Sequence, residues 1–366
     1  MIDYEKNFLE ARESISEIDK EIAKLFEKRM KSSKVVAEYK KANGIPVEDK
    51  EREKVLLEKN SKYIVDDEIR SYYVNYQKYM MKLSKDFQHK ILDGTRVAFS
   101  GVKGAFAEIA VKKIFPDCVP VGYQNFKSAY KAVENGECEC AVLPIENSFE
   151  GDVARVMDLT YFGSLFINGV YDMAVEQHLF GTADSHKKDI KKVISHPQAL
   201  GQCSEYVTEK GYEIEEAVNT AVAAQRVADN GDNTVGVICS LEAGHEYGLK
   251  LLERKINEDN TNTTRFGVFS RIPRGESVGD ENFILLFTVR DEAGSLSKAV
   301  SVFSELGYNL KALKSRPSKD VIWNYYFFLE GEGKLTKETE VKMLSELSKV
   351  CTNVRLVGRY GKEQTI

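Results

Sequence analysis

Proline and glycine are nearly missing from the opening quarter of the chain: among residues 1–92 only Gly44 and Pro46 occur. Without these breakers a hairpin-rich or loop-rich architecture is excluded there, and the segment reads as helix. Cysteine is sparse, at 118, 138, 140, 203, 239 and 351, and only Cys138 and Cys140 are close. Their one-residue spacing fits neither a zinc nor a redox motif, so a disulfide scaffold is excluded and reduced thiols are expected. The histidines at 89, 178, 186, 196 and 245 are dispersed and show no metal-ligand spacing. There is no excess of positive charge: the net charge is -5, the pI is about 5.8, and no basic stripe with interleaved aromatics appears, which argues against a nucleic-acid partner. No apolar run reaches the length of a membrane span. The opening MIDYEKNFLE has no basic stretch leading into an apolar one, and a cytosolic protein is expected.

What is present is an ordinary globular composition, 42% hydrophobic and 30% charged over 366 residues, enough for two or three domains. Over 1–92 the periodicity predicts a long helix from about 4 to 42, a break at NGIPVED, a short helix from about 49 to 60 and a third from about 66 to 91. A first helix of that length spans about 58 Å. So small a segment does not cover it alone, which predicts a partner, most simply a second copy in an intertwined dimer. From GTRVAFSG at 94 onward, short apolar runs alternate with helical stretches, the pattern of α/β units with a largely parallel sheet. The order occurs twice, over about 95–175 and 176–270, which predicts two lobes with a cleft between them. A polar linker follows at 271–281, and residues 281–361 read as βαββαβ, the ferredoxin-like order.

The long helix carries an anomaly. At 100° per residue from Ile15, the residues Ile18, Ile22, Leu25, Phe26 and Val36 fall in one apolar stripe, and so do Arg29 and Lys40. A buried cation without a counter-charge costs several kcal/mol, roughly. The two therefore reach solvent along their stems, pair with acids of a neighbouring helix, or meet a ligand's anions. On the third helix Tyr73, Tyr76, Met80, Ser84, Phe87 and Ile91 share a stripe with Gln88 at its edge, and Ser84 and Gln88, four apart, are neighbours. Asp49, Arg52 and Glu53 add a polar cluster on the short helix. Such an interior suits a compact ligand with two carboxylates and a hydroxyl.

The stretches ARESISEIDKEIAKLFEKR, KKANGIPVEDKERE and LSKDFQ resemble the all-helical chorismate mutases over the whole of 1–92. The resemblance implies a mutase pocket of Arg12, Arg29, Lys40, Asp49, Arg52, Glu53, Ser84 and Gln88. In it Arg29 and Arg12 hold carboxylates with Ser84 and Arg52 assisting, Lys40 and Gln88 donate to the ether oxygen, and Glu53 accepts from the ring hydroxyl. Arg12 lies about 90° from the stripe's centre, so it does not reach the pocket of Arg29 and Lys40; in the family the equivalent arginine enters the partner subunit's site.

Four polar motifs follow at strand ends: GVKGAF (101–106), LPIENS (143–148), SHPQALGQC (195–203) and NTTRFG (262–267). Singly they read as a tight turn, a capping loop, a structural histidine and a Thr-rich strand edge as readily as a site. Together, with NTAVAAQRVA and VGVICSLEAGHEYGL between the third and fourth, they resemble prephenate dehydratase over 95–271. This implies a two-lobed α/β, periplasmic-binding-protein-like domain. Its Thr264 is the catalytic threonine, Asn147, Ser148, Ser195, His196 and Gln198 orient the substrate, and Arg265 and Phe266 shape the pocket. EAGSLSKAVSVFSELGYNLKALKSRP (292–317) resembles the ACT regulatory domain, implying a phenylalanine site that includes Gly294, Leu296, Asn309, Leu310, Ser315, Arg316 and Pro317. Where that family reads GAL and ESRP, this chain has Ser295 and Lys314, the latter in place of a carboxylate that would meet the ligand's ammonium.

The order of the three segments is that of the bifunctional P-protein family of phenylalanine biosynthesis. It implies chorismate and prephenate as substrates, L-phenylalanine as effector, a homo-oligomer, and neither metal nor organic cofactor. An arogenate-specific dehydratase and a non-catalytic amino-acid sensor are the competing readings.

Overall fold

The computed structural model describes residues 4–258, 261–275, 279, 281–318 and 325–366. The chain divides into two compact units, Met1–Thr95 and Arg96–Ile366.

The first unit is helical: α1 Tyr4–Asn43, α2 Lys50–Ser61 and α3 Asp67–Asp93. Helix α1 stops at Gly44, whose φ of +65 lies in the left-handed region that only glycine enters cheaply. Asp49 and Asp66 cap α2 and α3 by accepting the N–H groups of Arg52 and Glu68 at 3.0 and 2.8 Å. Ala37 of α1 and Met80, Ser84 and Gln88 of α3 are buried. The apolar stripe on α1 is different: Ile15 and Leu25 are 58% and 65% exposed, and Ile18, Ile22, Phe26 and Val36 are exposed as well. Helices α2 and α3 meet α1 on the same face where Arg29 and Lys40 lie, but leave the apolar members of the stripe exposed within one chain.

The second unit starts with β1 Arg96–Ser100, α4 Phe106–Ile114, β2 Val119–Tyr123, α5 Phe126–Glu134, β3 Cys140–Asn147, β4 Gly151–Asp152, α6 Ala154–Phe162 and β5 Phe166–Ala174. The second lobe holds β6 His178–Gly181, a 3-10 turn Lys187–Asp189, β7 Lys192–Ser195, α7 Pro197–Gly201, α8 Ser204–Lys210, β8 Glu213–Glu216, α9 Thr220–Asn230, β9 Val235–Cys239, α10 Leu241–Glu246 and β10 Lys250–Glu253. Its sheet runs β10-β6-β9-β7-β8, with β8-β7-β9 parallel and β6 and β10 antiparallel.

The lobe boundary at 270 needs correction. Strand β11, Thr263–Ser270, pairs antiparallel with β3 and β5 and so belongs to the first lobe. Its apolar inward residues Phe266 and Phe269 complete the first lobe's core, whereas the second lobe is closed by β10. The chain therefore crosses between lobes twice, and the crossings are joined: Val175 N–H donates to the Asn262 carbonyl at 2.8 Å, and Ile256 N–H to the Gln177 carbonyl at 2.9 Å.

The last domain is β12 Asn282–Val289, α11 Ser295–Glu305, β13 Asn309–Pro317, β14 Tyr325–Glu332, α12 Lys337–Val350 and β15 Cys351–Tyr360, the expected βαββαβ order, followed by β16 Gln364–Thr365. Its helices pack on one sheet face around Phe283, Phe287, Phe303, Met343 and Leu347. The other face, with Ile284, Leu286, Tyr326 and Phe328, joins the core of the first lobe. The two sheets are continuous through the pair Gly358 and Ile167. A Cβ on Gly358 would meet the Ile167 carbonyl oxygen at 2.5 Å, so glycine is what lets β15 approach β5.

Candidate active sites

In the helical unit the polar positions of three helices converge on a cavity of about 300 Å³. Arg29, Lys40, Asp49, Arg52, Glu53, Ser84 and Gln88 all line it. The Arg29 guanidinium donates to the Met80 carbonyl at 3.2 Å and to the Ser84 hydroxyl. The Lys40 ammonium donates to the Val47 carbonyl at 2.7 Å. Among the described residues neither cation forms an ion pair, so both retain unspent charge facing the cavity. Gln88 Oε1 is buried without a hydrogen-bond partner among the described residues. Glu53 is held by Lys85 at 2.9 Å. Lys85 also lines the cavity and escaped the sequence reading, although it neighbours Ser84 and could have been sought as the counter-ion of Glu53. Arg12 is not among the lining residues: it is exposed, its guanidinium 5.3 Å over the Phe8 ring. His89 ties the loop before α2 to α3 through Glu48 at 3.0 Å and Asp93 at 2.9 Å. Burial pulls its imidazolium down, but those two carboxylates outweigh it and leave the pKa raised.

A second cavity, about 400 Å³, lies between the two α/β lobes. Asn147, His196, Gln198, Thr264 and Phe266 line it. Asn147 Nδ2 donates to Thr264 Oγ1 at 3.0 Å and to Asn262 Oδ1 at 2.9 Å, while its Oδ1 accepts from the N–H groups of Phe149 and Glu150, both at 3.0 Å. A hydroxyl carries one donor and two acceptor lone pairs. Since Thr264 is already accepting, and no acceptor for its hydrogen is found among the described residues, its O–H is the part left for a ligand. The N-termini of α4 and α9 border the cavity through Ala105, Phe106, Asn219 and Thr220, and no lysine or arginine is among its described lining residues. Gly104, at φ +84, lets the turn before α4 approach the second lobe, where an added Cβ would meet Ala243 Cα at 3.0 Å.

Three of the expected residues lie outside this cavity. Ser148 accepts from the Thr263 N–H at 3.0 Å and ties loop to strand. Ser195 is fully buried and donates to the Ile238 carbonyl at 2.6 Å. Arg265 points the other way, because successive residues of a strand alternate faces: with Thr264 and Phe266 turned to the cavity, its guanidinium meets Glu330 at 3.0 Å, Glu363 at 2.9 Å, and Glu146 and Asp172 at 3.4 Å. Gln177 and Gln202 do line the cavity and were not singled out from sequence; Gln177 Nε2 donates to Gln202 Oε1 at 3.3 Å. Gln202 stands four after Gln198, and that spacing was a signal available in the sequence.

In the C-terminal domain Gly294 precedes α11 with φ +85, Leu296 and Leu310 pack into the helix-side core, and Asn309 donates to Glu332 at 3.1 Å. Ser315 and Pro317 lie on the exposed face of β13. Arg316 faces inward and donates from Nε to Asp158 at 2.9 Å. Ser295 is buried at the start of α11. Lys314 is turned to Glu146 and Asp152 of the first lobe.

Comparison with known proteins finds chorismate mutase type II over residues 11–89, prephenate dehydratase over 97–274 and the ACT domain over 283–348. An arogenate dehydratase/prephenate dehydratase of Arabidopsis thaliana is 34% identical over 72% of this chain and 71% of its own length. A bifunctional chorismate mutase/prephenate dehydratase of Aquifex aeolicus is 29% identical over 96% of this chain and 97% of its own. The crystal structure of an Arthrobacter aurescens prephenate dehydratase in complex with L-Phe superposes with a TM-score of 0.68 at 26% identity, covering 73% of this chain and 90% of that one.

Proposed function

Because the chain belongs to the prephenate dehydratase family, with a type II chorismate mutase segment before the dehydratase and an ACT domain after it, we propose that it converts chorismate to prephenate in the helical unit and prephenate to phenylpyruvate between the two lobes, under control by L-phenylalanine.

The first reaction is a pericyclic rearrangement and needs no nucleophile or general base. It needs the substrate held compact and negative charge on the breaking ether oxygen stabilised. Lys40 and Gln88 donate to that oxygen, Arg29 with Ser84 and Arg52 holds a carboxylate, and Glu53 accepts from the ring hydroxyl. Arg12 comes from a second copy of the chain, whose α1 covers the bare stripe of the first.

In the second reaction the ring carboxylate leaves as CO₂, its bonding pair enters the ring, and the ring hydroxyl departs as water after taking up one proton. A lysine or arginine on the lost carboxylate would stabilise the ground state. The helix ends at Phe106 and Thr220 instead offer N–H groups to the substrate's anionic end. Thr264 donates to the departing hydroxyl; threonine is a feeble acid, so the proton itself comes from water. A donor into Oγ1 strengthens the O–H beyond it. The observation that carries this reading is that bond from Asn147 to Thr264, made at the wall of an interlobe cavity. Prephenate is favoured over arogenate because the mutase on the same chain supplies it.

The test is to give the purified protein chorismate and follow prephenate and phenylpyruvate with and without L-phenylalanine. Transient prephenate followed by phenylpyruvate, slowed by the amino acid, is expected. A protein that binds L-phenylalanine and turns over neither substrate would be a sensor.

A further inference from the structure

We propose that Lys314, a residue of the C-terminal domain, is a positioning residue for the dehydratase: its ammonium clamps the hairpin that carries Asn147. The inference rests on the dehydratase reading of the interlobe cavity.

Strands β3 and β4 form that hairpin, with Glu146 opposite Asp152 and Asn147 opposite Gly151. Like charges directly opposite on a ladder repel and open it. Lys314 stands between them, its Nζ 2.9 Å from Glu146 Oε1 and bonded to Asp152 Oδ1. Arg265 also touches Glu146, at 3.4 Å from the other side, but Lys314 is the partner of Asp152 among the described residues. The Lys314 side chain is only 19% exposed, so the contact is screened less than a surface pair. Burial pulls its ammonium down, yet Asp152 and Glu146 outweigh that and leave it raised.

The same strand fixes the next element. Arg316, two residues on and on the same face of β13, holds Asp158 of α6, which also accepts from the Tyr326 hydroxyl at 3.1 Å, and the Tyr161 ring stacks on Tyr326 at 4.0 Å. Helix α6 starts just after Asp152, so the C-terminal sheet grips the hairpin and the helix that continues it. From the clamp the path to chemistry is short: Asn147 adjoins Glu146, its amide donates to Thr264, and its oxygen organises the turn at Phe149 and Glu150. Asp152 itself lines the cavity, and Lys314 also cancels a negative charge where an anionic substrate must enter.

The test compares Lys314→Met, Lys314→Arg and the double variant Lys314→Met with Asp152→Asn in the full chain. Lys314→Met is expected to lower kcat on prephenate about tenfold, since small displacements of positioning groups cost at least that much, to speed amide exchange over 147–153, and to leave chorismate turnover unchanged. Lys314→Arg keeps most of the rate, and Asp152→Asn restores much of the loss, because the opposed pair no longer repels. General loosening of the fold would not be relieved by removing a second charge. Unchanged kcat with unchanged exchange in Lys314→Met, or a loss that Asp152→Asn does not relieve, overturns the clamp. Exchange over 147–153 decides the clamp by itself, whereas absence of prephenate turnover in the unaltered protein counts against the reading of the cavity.

Discussion

At the scale of single residues, the mutase proposal depends on cations that the fold leaves without acids. Among the described residues Lys40 is tethered to the Val47 carbonyl alone. Lys40→Met keeps the stem and removes the charge; kcat on chorismate should fall by about two to three orders of magnitude, as for loss of one preorganised donor. Thermal stability should hold or rise, since a cation without its anion is a cost to the empty protein. Lower stability with normal turnover would mean Lys40 is structural. His89 gives a pH dependence. Its folded pKa is raised, so the stability it contributes is fully present below its unfolded value, about 6.5, and is lost as pH rises through the folded value. Protection of the amides over 44–49, taken relative to their intrinsic exchange rate at each pH, should fall above neutrality and lose that fall in His89→Asn. The residue types at both sites could be read from the sequence, but not which of them point inward: Arg265 follows Thr264 and was grouped with it, and only the pairing of β11 between β3 and β5 shows that the two face opposite ways.

Among the elements, α1 was the most legible, because forty residues without proline or glycine leave little else to form. Its apolar stripe was visible too; what the sequence could not say is that the chain's own helices leave the stripe bare. If a second copy covers it, Ile18→Glu should lower mutase activity at least about tenfold and shift sedimentation toward smaller species, while prephenate turnover by the same protein continues. Unaltered association and mutase rate would leave the stripe unexplained. Strand β11 was the least legible element. Its apolar alternation marks it as a strand, but its sheet is decided by contacts more than a hundred residues away, with Asn147 paired to Thr264.

Taken whole, the two cavities read as active sites differ in their cations. One is lined by Arg29, Lys40, Arg52 and Lys85 with the acids Asp49 and Glu53, and the other by amides, hydroxyls, helix ends and the carboxylates Glu150 and Asp152, with no lysine or arginine among its described lining residues. The change in periodicity at 94 falls at the boundary between the two compact units, whereas Arg96–Ile366 forms one unit across the expected linker at 271–281. The joining of the C-terminal sheet to the dehydratase sheet was not visible in the sequence, because it runs through the Gly358 pairing, the short strand β16, a shared apolar core and ion pairs, all between positions distant in sequence. The separation of the two chemistries is the central claim, and Thr264→Ala supplied with chorismate tests it most directly. Prephenate should accumulate at the unaltered rate, with phenylpyruvate suppressed by about two to four orders of magnitude; phenylpyruvate formed at the normal rate, or prephenate formation lost along with it, would contradict the account.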